Sequence, residues 1–102
     1  AGPGAQPERA ILNRRTGRQV AVEKAEFALG RDPRWADFAV EDNSNVSSAH
    51  AIIRRVGAQH FIMDTNSTNH VTVNGRRIPP NQDVPLAPGS IFVLGDEEFE
   101  FI

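Results

Sequence analysis

The hydrophobic positions of this chain come in short bursts separated by polar turn residues, and no segment holds a helical period. Ala10 to Leu12 and Gln19 to Val22 flank the polar stretch Asn13 to Arg18, whose Thr16-Gly17 pair marks a turn, so a first hairpin is expected. Glu26 to Leu29 predicts another strand, closed by Gly30-Arg31. Pro33 lacks a ladder donor and cannot continue it; extended structure resumes at Phe38 to Val40, before a polar loop from Glu41 to Asn45. Ala49 to Val56 is the longest strand candidate, although the adjacent Ile52 and Ile53 blur its alternation. Gly57 to Gln59 then turns the chain into His60 to Met63, a short apolar run ending at Asp64. Val71 to Val73 is a β-branched run, and Asn74-Gly75 ahead of Arg76 to Ile78 is the two-residue signal of a type I′ hairpin. Pro79, Pro80 and Pro85 permit only irregular or edge structure. Ser90 to Leu94 and Phe99 to Ile102 make a closing hairpin across the acidic turn Gly95 to Glu98, with Phe99 and Phe101 on one face.

Short strands at regular spacing, with no room for crossover helices, predict an all-β antiparallel sandwich. Such a fold gathers its loops at two ends and brings together loops distant in sequence. The densest loop is Asp64 to Gly75, anchored by a strand on each side. Its Ser67, Thr68, Asn69 and Asn74 offer hydroxyl and amide groups without charge, the chemistry of gripping a polar or anionic ligand. The same residues also suit plain turns, because Asn and Ser cap turns and Asn tolerates left-handed backbone.

Composition narrows the function classes. The chain has 102 residues, 39% of them hydrophobic and 24% charged, which fits one compact folded domain. Pro, Gly and Ala dominate residues 1–7, so 1–8 reads as the end of a linker from a longer protein and 9–102 as the domain. No run is long enough to cross a membrane and no signal-peptide pattern appears, so membrane insertion is not expected and a cytoplasmic location is. The absence of cysteine removes disulfide scaffolds, thiolate metal sites and cysteine nucleophiles. A formal net charge of −2 argues against a general nucleic-acid binder. Ten of the eleven basic residues are arginine, and the pairs Arg14-Arg15, Arg54-Arg55 and Arg76-Arg77 read as solvated faces. His50, His60 and His70 have no paired-ligand spacing, so neither a metal nor another cofactor is expected.

Gly30-Arg31, Ser47-Ser48-Ala49-His50, Ser67-Thr68-Asn69, Asn74-Gly75, Leu86 to Gly89 and Leu94-Gly95 follow one another in an order and spacing similar to those of the forkhead-associated (FHA) domain. The resemblance covers roughly residues 9 to 102. It implies a sandwich of about eleven short strands whose apical loops bind phosphothreonine peptides. Such a module is a non-catalytic, monomeric adaptor within a longer chain, here of bacterial signalling type. Its partner would be a phosphothreonine protein, either a Ser/Thr kinase or a kinase substrate. By the same resemblance the phosphate contacts fall on Arg31, Ser47 and Thr68, and the peptide-backbone contact on Asn69. Asn74 lies close by as a second amide for the peptide or the loop. Gly30, His50 and Gly75 are architectural, with His50 tying the two binding loops together. The chain departs from the family at Ser48, where a basic or amide side chain is frequent, and at Asn45, where an arginine can help. It departs also at Asn66 and His70, where the loop has Gly. Asn66 tolerates a left-handed backbone. His70 adds bulk and a titratable ring beside Asn69, so Ser48 and His70 join the candidate peptide-binding residues.

The case for Arg31, Ser47 and Thr68 also stands on chemistry. A phosphate monoester near neutral pH carries close to two charges and three acceptor oxygens, and wants one fixed guanidinium plus neutral donors from more than one loop. Two other function classes remain open. One is an FHA-like sandwich used for phosphate-independent protein assembly. The other is a small hydrolase built on Ser47, His50 and Asp64 or Asp37, for which no nucleophile elbow or oxyanion donor set is legible.

Overall fold

A computed structural model describes residues 9–102; the linker expected over 1–8 lies outside the described residues. Eleven strands form two packed sheets: β1 (Ala10–Asn13), β2 (Gln19–Ala21), β3 (Glu26–Gly30), β4 (Phe38–Ala39), β5 (Ala51–Val56), β6 (Gln59–Asp64), β7 (Val71–Val73), β8 (Arg76–Arg77), β9 (Val84–Pro85), β10 (Ile91–Leu94) and β11 (Glu97–Phe101). One sheet runs β2-β1-β11-β10-β7-β8 and the other β4-β3-β5-β6-β9. All pairings are antiparallel except β3 with β4, which is parallel. The turn after Asp32 causes this: it carries the chain back along β3, where the Asp37 amide donates to the Ala28 carbonyl at 2.8 Å.

Period-two alternation decides which side chains meet between the sheets. Phe27 and Leu29 of β3 and Ile53 of β5 face Ile11, Phe92, Leu94, Phe99 and Phe101 of the other sheet, and all are buried. Burying a side chain of this size is worth about 1.5 to 3 kcal/mol. Phe99 stacks on Phe92 at 5.2 Å and meets the Phe38 ring edge-on at 5.5 Å, so one aromatic joins both sheets. Pro85 sits on the edge strand β9, where its missing donor leaves no ladder bond unmade.

Several strand ends differ from the expectation by a residue or more, and two of the shifts bear on the site. The strand expected from Ala49 begins at Ala51, because Ala49 and His50 spend their carbonyls on Thr65: the Thr65 hydroxyl donates to Ala49 at 2.7 Å and its amide to His50 at 3.1 Å. The acidic turn expected over Gly95 to Glu98 shortens to Gly95 and Asp96, since Glu97 already pairs with Leu94 as the first residue of β11.

Candidate functional site

Three loops meet at one end of the sandwich. Gly30 and Arg31 close β3, and the Arg31 amide donates to the Ser47 carbonyl at 2.9 Å while the Asp32 amide donates to Ser48 at 3.3 Å. A Cβ at position 30 would lie against the Ser48 carbonyl oxygen, so only glycine lets segment 47–48 approach this closely.

His50, fully buried, joins the second loop to the third. Its Nδ1 accepts the Ser47 amide proton at 2.9 Å, and Nε2 faces the His70 carbonyl at 2.8 Å. These partners require the tautomer protonated on Nε2, since a carbonyl cannot donate. Burial lowers the His50 pKa and outweighs the His70 carbonyl bond and the Asp64 charge, which raise it. The His70 carbonyl also accepts the Gly95 amide at 3.1 Å, and His70 itself holds a left-handed φ of 68°. Asn66 takes the same conformation at 67°, which asparagine tolerates better than histidine.

Ser47 Oγ accepts the Thr68 amide at 3.1 Å, which fixes the two hydroxyl loops against each other. That bond uses one Ser47 lone pair and leaves the hydroxyl proton free to donate. Thr68 is exposed, Ser48 is exposed beside Ser47, and Arg31 is half-buried with no ion-pair partner among the described residues. Asn69 donates Nδ2 to the Asn45 carbonyl at 3.0 Å, which leaves its Oδ1 as an acceptor toward solvent. Arg31, Ser47, Ser48, Thr68, Asn69 and His70 therefore lie together at one end.

Three residues of the densest loop do not join them. Ser67 is buried and its amide donates to the buried Asp64 Oδ1 at 2.8 Å, so it braces the loop. Asn74 lies past the far end of β7 from His70. Its Oδ1 accepts the Ile91 amide at 2.9 Å and its Nδ2 reaches Ser90 Oγ at 3.4 Å, so in this structure the amide expected for the peptide or the loop clamps β10. Gly75, at φ 84°, completes with Asn74, at φ 50°, the left-handed pair of a type I′ turn. It therefore supports the β7–β8 hairpin and not a binding loop.

A buried carboxylate beside the site escaped the reading of the sequence. Glu97 accepts Asn13 Nδ2 at 2.7 Å, Arg15 Nε at 3.1 Å and Asn43 Nδ2 at 3.0 Å. Burial pushes its pKa up, but these donors outweigh that and hold it below the usual carboxylate range. Asn43 also donates to Asp96 at 2.7 Å, and Asn45 Nδ2 donates to the other Asp96 oxygen at 3.0 Å. The signal was available: Glu97, Phe99 and Phe101 share one face at period two, so a carboxylate on that face needed partners.

Both His50 ring nitrogens are bound to backbone, so His50 does not serve as a base for Ser47. Among the described residues no group of three His, Asp or Glu could hold a metal ion, and no helix is long and apolar enough to cross a membrane.

Comparison with known proteins bears on this geometry. The family model for the FHA domain matches residues 27–95. Mycobacterium tuberculosis EmbR, solved in complex with a low-affinity phosphopeptide, superposes with a TM-score of 0.87 at 32% identity; the match covers 96% of this chain and 25% of EmbR, so the chain spans about a quarter of that protein. A structure from a study of phosphothreonine-dependent FHA domain interactions gives 0.83 at 29% identity, covering 93% of this chain and 95% of that one. The FHA domain of FhaA, complexed with the intracellular domain of another protein, gives 0.81 at 29%, covering 94% of this chain and all of that one. No curated protein matches the sequence.

Proposed function

The chain belongs to the FHA-domain family, and from that premise we propose that its apical loops bind phosphothreonine in a partner protein, as an adaptor in Ser/Thr kinase signalling. The carrying observation is the convergence of Arg31, Ser47 and Thr68: a guanidinium without an ion-pair partner stands at the end where two hydroxyl-bearing loops are bonded together. The Arg31 fork supplies charge and direction, and the Ser47 and Thr68 hydroxyls donate to the remaining phosphate oxygens. Charge-assisted bonds contribute about 1.5 to 3 kcal/mol each, so two or three of them bring binding toward about −8 kcal/mol, roughly micromolar, after ordering costs. Asn69 Oδ1 accepts a peptide amide and fixes the direction of the bound segment.

Relatives solved with a phosphopeptide, or in a study of phosphothreonine-dependent interactions, support this reading. On this reading the module recognises its ligand without catalysis and works in the cytoplasm, with a kinase or a kinase substrate as partner. Fluorescence anisotropy with phosphothreonine, phosphoserine and unphosphorylated versions of one peptide tests it. The phosphothreonine peptide is expected to bind tightest. Phosphoserine should be weaker by about ten- to two-hundred-fold, the worth of one methyl in an apolar notch. Equal binding of the unphosphorylated peptide would replace this reading with phosphate-independent assembly.

A further inference from the structure

We propose that Asp96 forms an acidic wall to the phosphopeptide site, so that the peptide residue flanking phosphothreonine on that side is basic or neutral and not acidic. This rests on the reading of Arg31, Ser47 and Thr68 as a phosphate grip. The position of Asp96 follows from bonds already described. Its carboxylate holds Asn45 Nδ2 at 3.0 Å, and the Asn45 carbonyl holds Asn69 Nδ2 at 3.0 Å. Two hydrogen bonds therefore tether the charge to the side chain expected to hold the peptide backbone. Gly95, one residue earlier, bonds the His70 carbonyl at 3.1 Å, so the β10–β11 turn is part of the same surface.

Asp96 is exposed and has no ion-pair partner among the described residues. Arg15, the cation whose charge acts on Asp96, is already shared between Asp42 at 2.8 Å and Glu97 at 2.9 Å, so three carboxylates draw on one cation. Asn43 and Asn45 donate into Asp96 and keep it ionised, its pKa lowered by those two bonds. Arg31 is committed to the phosphate. An acidic peptide residue arriving on this flank meets a negative charge and no free cation, whereas a lysine or arginine there neutralises the wall. Exposed charge pairs of this kind change affinity by about two- to fivefold. Salt weakens them, with a Debye length of roughly 8 Å at physiological ionic strength.

A phosphothreonine peptide series, each flanking position in turn carrying lysine, alanine or aspartate, tests the proposal against wild type, Asp96→Asn and Asn45→Arg at low and high salt. At one flank wild type is expected to rank lysine over alanine over aspartate, by a few-fold in total, with the gap narrowing at high salt. Asp96→Asn should narrow it at low salt as well, and Asn45→Arg should reverse it. Should Asp96→Asn fold poorly, the wild-type salt series and Asn45→Arg still decide. Affinities independent of flanking charge, or a gap unchanged in Asp96→Asn, overturn the acidic wall alone. Failure of every phosphothreonine peptide to bind overturns the phosphate grip together with it.

Discussion

At the end of the sandwich carrying Arg31, loops bond to other loops: Ser47 to Thr68, His50 to Ser47 and His70, and Asn45 to Asn69 and Asp96. At the opposite end the polar side chain of the turn bonds the strand beside it, with Asn74 spending both its amide atoms on Ser90 and Ile91. Arg54, toward the same end, is paired with Glu26 at 3.3 Å and Asp83 at 3.2 Å. His60 lies 5.0 Å from the Phe101 ring, in a cleft of about 200 Å³ walled by Pro85, Leu86 and Pro88. The contrast shows how one architecture builds a scaffold end and a binding end. Where a turn's own side chain holds the strand, its polar atoms are spent. Where a buried histidine and the backbone hold the loops, the guanidinium of Arg31 and the hydroxyls of Ser47 and Thr68 remain to be used.

Removing the free charge breaks the contrast most severely. Arg31→Ala should abolish measurable binding of a phosphothreonine peptide, with the thermal midpoint unchanged, and Arg31→Lys should restore only part of it because a point charge lacks the planar fork. Anisotropy and a melt on the same samples check both halves; normal binding by Arg31→Ala would sink the phosphate reading.

Removing the loop support should cost stability as well as binding. His50→Ala leaves the Ser47 amide and His70 carbonyl without their partner in a buried site, an expected loss of about 1 to 3 kcal/mol in chemical denaturation. Gly30→Ala forces a methyl against the Ser48 carbonyl and should destabilise by about 1 to 3 kcal/mol while displacing the 47–48 segment. Unchanged stability with lost binding in His50→Ala would mean that the ring touches ligand and does not brace loops.

At the opposite end the effect should be smaller and of one kind. Asn74→Ala removes a clamp on Ile91 and is expected to cost about 1 kcal/mol with peptide affinity unchanged. An affinity loss larger than the stability loss would put Asn74 back beside the ligand.

The smallest expected effect is a pH dependence. Burial lowers the His50 pKa, so between that lowered value and about 6.5 the unfolded chain binds more protons than the folded one. The stability contributed by neutral His50 is complete above about pH 6.5 and falls as pH drops through the window. His60, lowered by burial and by Arg55 and Arg9, adds a loss of the same sign from the other end. Denaturation at neutral and mildly acidic pH should therefore show a smaller acid-induced loss in His60→Gln than in wild type, and a smaller one again when His50→Asn is added. Identical losses in all three proteins would remove both imidazoles from the acid response.

Most of the fold was legible because it is written in short-range rules. Alternation placed the strands, Asn74-Gly75 declared its turn through the left-handed conformation both residues adopt, and Phe99 and Phe101 marked the buried face of the last strand. The order of Gly30-Arg31, Ser47, His50 and Thr68-Asn69 identified the family before any geometry was known. The bonds across loops were not legible, since nothing local in Asn74 says whether its amide faces solvent or the neighbouring strand. Period two could have put Glu97 on the face of Phe99 and Phe101, but not named its partners, which its register with Leu94 brings together as Asn13, Arg15 and Asn43.

The sequence by itself determined the strands other than β9, the turn chemistry and the family, because each depends on neighbours within a few residues or on an ordered spacing of motifs. Only the tertiary structure decided which polar groups are spent and which stay free, because that depends on partners far apart in the chain: 20 residues separate His50 from the His70 carbonyl, 51 separate Asn45 from Asp96, and 84 separate Asn13 from Glu97.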